Sequence, residues 1–169
     1  MLVPEGATSV HGAAGPEPVG WVDPVTGLEG PDFWHRLLDS ELARSTRYRR
    51  PLTVVLLDVD GMRELEVTWG ADVAEQTLRE TAQCVRTLAR SSDHCTRIGP
   101  VRFGILLTET DEIAAINFVE RVREAGPRTL PRVADHLRFT FGWASPRPGE
   151  AVESVLARAE GLMAADRAG

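Results

Sequence analysis

Two pairs of residues in this chain have types and spacing that could do chemistry. Asp58 and Asp60 follow the apolar run Leu52-Thr53-Val54-Val55-Leu56-Leu57. If that run is a strand that continues through them, both carboxylates point to one side of a sheet, because side chains alternate along a strand. Arg90 and Asp93 are spaced i, i+3 at the end of a helical pattern, which places them on neighbouring surface. A guanidinium can fork onto a phosphate or the edge of a base and stack on its ring, while a carboxylate accepts N–H donors from the same ligand. The plain alternative is a solvated ion pair worth ~0.5 kcal/mol or less. An R-x-x-D string by itself is common in a chain this rich in arginine.

Other reactive types do not cluster. Cys84 and Cys95 lack C-x-x-C spacing, and His11, His35, His94 and His136 are scattered. The expectation is two buried free thiols and no metal site. All 19 basic residues are arginine, which excludes a Walker-type phosphate-binding lysine and a lysine Schiff base. The net charge of −6 sets the chain's field against nucleic acid. No apolar run approaches the ~20 residues of a membrane span. The start, Met1-Leu2-Val3-Pro4-Glu5, lacks a secretory pattern. A cytoplasmic location away from membrane is therefore expected.

Elements able to position those pairs are legible as periodicity. With 169 residues, 43% hydrophobic and 26% charged, the chain suits one domain with a proper core. Residues 1–20, rich in Gly, Pro and Ala, read as a flexible arm. Trp34, Leu37, Leu38, Leu42, Ser45 and Tyr48 mark one face of a helix, with Asp32 as its cap and Pro51 as its stop. Leu52–Leu57 is a buried central strand. Ala74, Leu78, Ala82, Val85 and Ala89 predict a helix over about 72–90. The segments 96–98 and 102–107 flank Gly99-Pro100 as strand, tight turn and strand. Ala115, Phe118, Val119 and Val122 predict another helix, 137–143 a strand, and Val152, Val155, Leu156, Ala159 and Leu162 a closing helix. The aromatic side chains are expected mostly in the core, with Trp21 placed to pack across the domain. The fold class is an α/β (α+β) sandwich: a central mixed, largely antiparallel sheet flanked by helices.

In order and spacing, these landmarks resemble the GGDEF family of diguanylate cyclases over residues 21–169. Asp23-Pro24-Val25-Thr26-Gly27-Leu28 is similar to the family's D-x-L-T-G-L. Asp58-Val59-Asp60-Gly61-Met62-Arg63 stands for D-x-D-x-F-K, and Gly70 to Glu75 is a worn G-H-x-x-G-D. Gly99-Pro100-Val101-Arg102-Phe103 occupies the hairpin that names the family. Thr140 to Ala144 resembles S-I-G-V-A, and Ala159-Glu160 with Arg167 resembles the closing A-D…K helix. The resemblance implies a polymerase-palm-like fold and a chemistry that condenses two GTP molecules, one per facing subunit, into cyclic di-GMP with divalent metal held by carboxylates.

Against that pattern the catalytic turn is altered. Asp58 stands at the first metal-ligand position, but the third and fourth positions of the turn are Val101 and Arg102. Valine offers no lone pair. Arginine opposes a cation by several kcal/mol if poorly solvated at ~4 Å. Pro100 replaces a glycine and removes an N–H. Glu66 and Glu75 stand at the guanine-reading positions, where a carboxylate can still accept from N1 and N2. Gly30 and Pro31 replace an Asn-Arg pair, and Arg167 stands where a lysine contacts phosphate. The expectation is a domain without cyclase activity and without bound Mg²⁺.

The resemblance also implies what is kept. Arg90-Ser91-Ser92-Asp93, five residues before Gly99, matches the family's inhibitory R-x-x-D site for cyclic di-GMP. Arg97 follows it, and Arg121 matches a position that supplies an arginine from a second subunit or domain. The implied ligand set is Arg90, Asp93, Arg97 and Arg121. The leading expectation is a cyclic di-GMP receptor that signals to an unidentified protein partner, with a ligand-bridged dimer among its states. The alternatives are a nucleotide-independent interaction scaffold, or a GTP sensor using Glu66, Glu75 and Arg167 without turnover.

Overall fold

Strand β1 (Leu52–Asp60) is buried at eight of its nine positions, as expected of a strand covered on both faces. In the computed structural model, which describes residues 16–169, β1 pairs antiparallel with β3 (Arg102–Thr108) on one side and β4 (Arg138–Ala144) on the other. Strand β2 (His94–Arg97) pairs antiparallel with β3, giving the order β2-β3-β1-β4. Every pairing between strands is antiparallel, so the expected mixed sheet resolves to its antiparallel limit. The crossover from β1 leaves β2 running in the same direction, but β3 lies between them.

Alternation along β1 divides the core. Val54 and Leu56 face α1 (Pro31–Tyr48) and α5 (Val152–Ala168), packing with Trp34, Leu38, Val155, Ala159 and Met163. Val55, Leu57 and Val59 face α2 (Met62–Trp69), α3 (Ala71–Leu88) and α4 (Glu112–Thr129), packing with Leu65, Leu78, Val85, Phe118 and Val122. Asp58 and Asp60 share the parity of Leu56, so they emerge on the α5 side. On that face α5 lies directly over Gly142, where a Cβ would collide with the Ala159 carbonyl oxygen.

Several boundaries differ from the periodicity. The segment expected as one helix over 72–90 is α3, and α2 precedes it unannounced: with only Met62 and Leu65 buried, it is too short to show a repeat. Gly70, at φ +94°, makes the corner between the two. Gly30 takes the N-cap position of α1 and Pro31 the first turn, so Asp32 contributes charge there and no capping bond. That helix ends at Tyr48, where Arg49 turns left-handed, two residues before Pro51. Tyr48 and Trp69 are exposed and not in the core. Trp21 is half exposed and stacks edge-on against Phe33, with the Arg36 guanidinium over its ring.

Residues 1–15 of the expected arm lie outside the described residues. The rest of that stretch is tied down: the Pro16 carbonyl accepts from Arg97 at 2.9 Å, and the Gly20 carbonyl accepts from the Asp32 N–H at 3.1 Å.

Candidate functional site

Asp58 and Arg102 are directly opposite each other in the β1–β3 register, so their side chains stand on one face within reach. Arg102 engages Asp58 as a fork: Nε donates to Oδ1 at 2.7 Å and Nη2 to Oδ2 at 2.9 Å. From the end of α5, Arg167 Nη2 donates to Asp58 Oδ2 at 2.8 Å and to Asp60 Oδ1 at 3.1 Å, while its Nε donates to Asp60 Oδ2 at 3.1 Å. The Thr140 hydroxyl also hydrogen-bonds Asp60. Glu160 lies 3.4 Å from Arg102 at the rim. Donating to the Asp58 carboxylate holds the Arg102 guanidinium above its ordinary range, and donating to Asp60 and Asp58 does the same for Arg167.

The two carboxylates that could face a divalent cation are thus filled internally by two guanidinium groups. Asp58 is almost wholly buried, and both its oxygens are committed. Val101, the other residue at a ligand position, packs against the core, while its carbonyl accepts from the Val59 N–H at 3.0 Å. These residues do not fit a divalent metal. Arg167, expected as a phosphate contact, is spent on Asp58 and Asp60.

The turn itself is a tight hairpin. The N–H groups of Ile98 and Gly99 both donate to the Arg102 carbonyl, at 2.9 and 3.2 Å. Pro100 sits within it, and its carbonyl accepts from Arg97 at 2.8 Å. Phe103 is fully buried. Glu66 lies on α2, and Glu75 lies on α3 in an ion pair with Arg79 at 2.7 Å.

Arg90 and Asp93 sit beyond the end of α3. Asp93 Oδ2 accepts from the Arg90 N–H at 2.8 Å, and Oδ1 accepts from the Thr108 N–H at 3.1 Å. The carboxylate therefore braces the loop against β3 and retains lone pairs for further donors. Neither the expected surface ion pair nor any other hydrogen bond engages the exposed Arg90 guanidinium among the described residues. Both residues line a depression of ≈ 390 Å³ with Arg86, Glu29, His94 and Cys95. Burial pushes the Cys95 thiol up to about 12, so it stays protonated.

Arg97 does not belong to this surface. It is fully buried and pairs with buried Asp23 at 3.0 Å, tying β2 to the segment before α1. Its guanidinium is taken up by Asp23 and the Pro16 and Pro100 carbonyls and does not line the depression, so the expected ligand set is corrected to omit it. Arg121 is on α4, over the Phe118 ring at 5.8 Å, and is not in the depression. Sequence reasoning missed several of these partners. The Arg102–Asp58 pair depended on a register between strands far apart in sequence. Asp23 as a buried partner and Glu29 with His94 as depression walls had no spacing signal.

Residues 20–169 match the family described as diguanylate cyclase, GGDEF domain. The diguanylate cyclase DosC of Escherichia coli (strain K12) is 32% identical over 114 residues, covering 68% of this chain and 25% of that protein. The response regulator PleD of Caulobacter vibrioides is 29% identical over 154 residues, covering 87% and 34%. The chain thus spans a quarter to a third of the length of these relatives. Among solved structures, the diguanylate cyclase SiaD from Pseudomonas aeruginosa, in complex with its activator SiaC, superposes with a TM-score of 0.80 at 30% identity, over 87% of this chain and 58% of that one. The GGDEF domain of DgcB from Caulobacter crescentus, in complex with c-di-GMP, gives a TM-score of 0.81 at 22% identity, over 89% and 92%, a likeness of fold.

Proposed function

The chain belongs to the diguanylate cyclase GGDEF-domain family, and we propose that it is a non-catalytic member that binds cyclic di-GMP at Arg90 and Asp93 and passes that state to a protein partner. The observation that carries this reading is the contrast between two arginine sites. At the worn catalytic turn, Arg102 and Arg167 are consumed by Asp58 and Asp60, which leaves no carboxylate pair to neutralise a triphosphate's metal. In the depression after α3, the Arg90 guanidinium is exposed beside Asp93. A guanidinium can fork onto guanine O6 and N7 or onto a phosphate, and the carboxylate can accept from N1–H and the exocyclic amine.

That SiaD was solved with its activator SiaC gives precedent in a relative for a protein partner. Among the described residues no helix is long and apolar enough to cross a membrane, and we place the protein's action in the cytoplasm. Arg121, on another face, is free to reach ligand held by a second copy, which would produce a ligand-bridged dimer. The GTP-sensor reading loses support because Arg167 is occupied by Asp58 and Asp60.

Calorimetry with cyclic di-GMP tests the proposal. Micromolar or tighter binding that is lost in Arg90→Ala is expected. Absence of heat and of any thermal shift would leave a nucleotide-independent scaffold. Incubation with GTP and Mg²⁺ or Mn²⁺ should yield no cyclic di-GMP; product above blank would refute the non-catalytic assignment.

A further inference from the structure

His94 begins β2 at the boundary of two depressions, lining both the ≈ 390 Å³ one that holds Arg90 and a neighbouring one of ≈ 250 Å³. Its ring leans on Phe33 of α1, with centroids 6.0 Å apart, and its Nδ1 lies 3.8 Å from Glu29 Oε2. That Glu29 oxygen is buried and lacks a hydrogen-bond partner among the described residues, and burial raises its carboxyl above the usual range. Across the depression, Arg86 reaches over from α3, donating only a 3.3 Å bond to the Gly27 carbonyl.

We propose that His94 and Arg86 complete a cationic wall with Arg90, and that protonation of His94 sets how tightly this depression holds a doubly charged cyclic dinucleotide. This rests on the binding reading above and adds the residue that regulates it. Three nitrogen groups then face the two phosphates. Imidazole is the side chain that changes charge between pH 5 and 8, so its wall position makes the site's charge adjustable where that of the arginines is fixed.

The charged groups that share the depression with His94 are the carboxylates of Glu29 and Asp93 and the guanidinium groups of Arg86 and Arg90. Cys95 is a neutral thiol. On the α1 and β3 side, Glu41 pairs with Arg44 and Arg50 with Glu109, so those four charges largely cancel. A bound dianion adds a strong term favouring the imidazolium. By linkage, ligand binding takes up a proton, and affinity rises as pH falls through the imidazole range. Protonation of Glu29 acts in the same direction, since it removes a negative charge from the wall and also aids an anion at low pH. Only the His94 component disappears when the imidazole is replaced.

Cyclic di-GMP titrated calorimetrically into the full chain should bind about tenfold tighter near pH 5.5 than near pH 8. His94→Gln should flatten most of that slope and retain the weaker affinity seen at high pH, and Arg86→Ala should weaken binding at every pH. A measurement independent of any variant is proton uptake by the wild-type protein, read from binding heats in buffers of different ionisation enthalpy. A wild-type protein that binds cyclic di-GMP with no pH slope and no proton uptake overturns the His94 proposal alone. An unchanged slope in His94→Gln does the same. No binding at any pH overturns it together with the receptor reading.

Discussion

At the residue scale, arginine occupies three different settings in this domain, separated by burial and partner. Arg97 is sealed in the interior with Asp23, and removing one member of such a pair strands a buried charge. Arg97→Ala should cost about 3–5 kcal/mol in urea unfolding. Arg102 is one-third exposed and shares Asp58 with Arg167, so Asp58 keeps a partner when Arg102 is cut. Arg102→Ala should cost a smaller amount, about 1–2 kcal/mol. Arg90 makes no side-chain bond among the described residues, so Arg90→Ala should leave unfolding within ~0.5 kcal/mol of wild type and register only in ligand binding. If Arg90→Ala proved as destabilising as Arg97→Ala, the division between structural and binding arginines would be wrong.

At the scale of elements, the placement of α5 decides what surrounds Asp58 and Asp60. Gly142 lets the helix backbone settle onto β4, which brings Arg167 over Asp58 and Asp60. Gly142→Ala should lift α5, destabilise the domain by about 1–3 kcal/mol and raise its proteolytic susceptibility near the C-terminus. The start of the same helix is held by Glu150, whose carboxylate accepts from Arg158 Nη2 at 2.6 Å and from the Arg147 N–H at 2.8 Å. Arg158 also bonds the Ser145 carbonyl at 2.7 Å, joining the end of β4 to α5. The Arg158 hydrogen bond, reinforced by the Arg147 N–H, brings the Glu150 carboxyl down to about 2. A carboxyl depressed in the folded state stabilises above its unfolded value and loses that stabilisation as pH falls through its folded one. Thermal stability should therefore drop between about pH 4.5 and 2, and Glu150→Gln should remove that component of the drop. Identical melting profiles of the two proteins across this window would contradict the clamp.

On the scale of the whole molecule, both edges of the sheet are bonded to neighbouring segments of the chain. On β4, the Phe141 N–H donates to Asp166 at 2.9 Å and the Phe139 carbonyl accepts from Arg123 at 3.4 Å. On β2, the Arg97 N–H donates to the Glu29 carbonyl at 2.9 Å. Edge groups satisfied in this way are not offered to strands from a second copy. Association should then run through ligand and side chains: light scattering should show mass rising with cyclic di-GMP in wild type and staying constant in Arg121→Ala. A dimer that persists without ligand and ignores Arg121 would point to another interface.

The sequence by itself determined the order of elements apart from α2, the central strand and the hairpin, because apolar periodicity and Gly-Pro punctuation are local signals. It also placed Val101 and Arg102 in the hairpin turn, and Arg90 and Asp93 as near neighbours. Only the tertiary structure decided what those residues do. Asp58 meets Arg102 because β1 and β3, separated by two helices and β2, pair in one particular register. Arg97 and Arg90 look alike in the chain, yet the alternation of β2 turns one inward to Asp23 and the loop before it leaves the other in solvent. Glu29 and His94 come from distant segments and face each other only once the edge is folded. Pairings of this kind arise from non-local packing, which spacing along a chain does not encode.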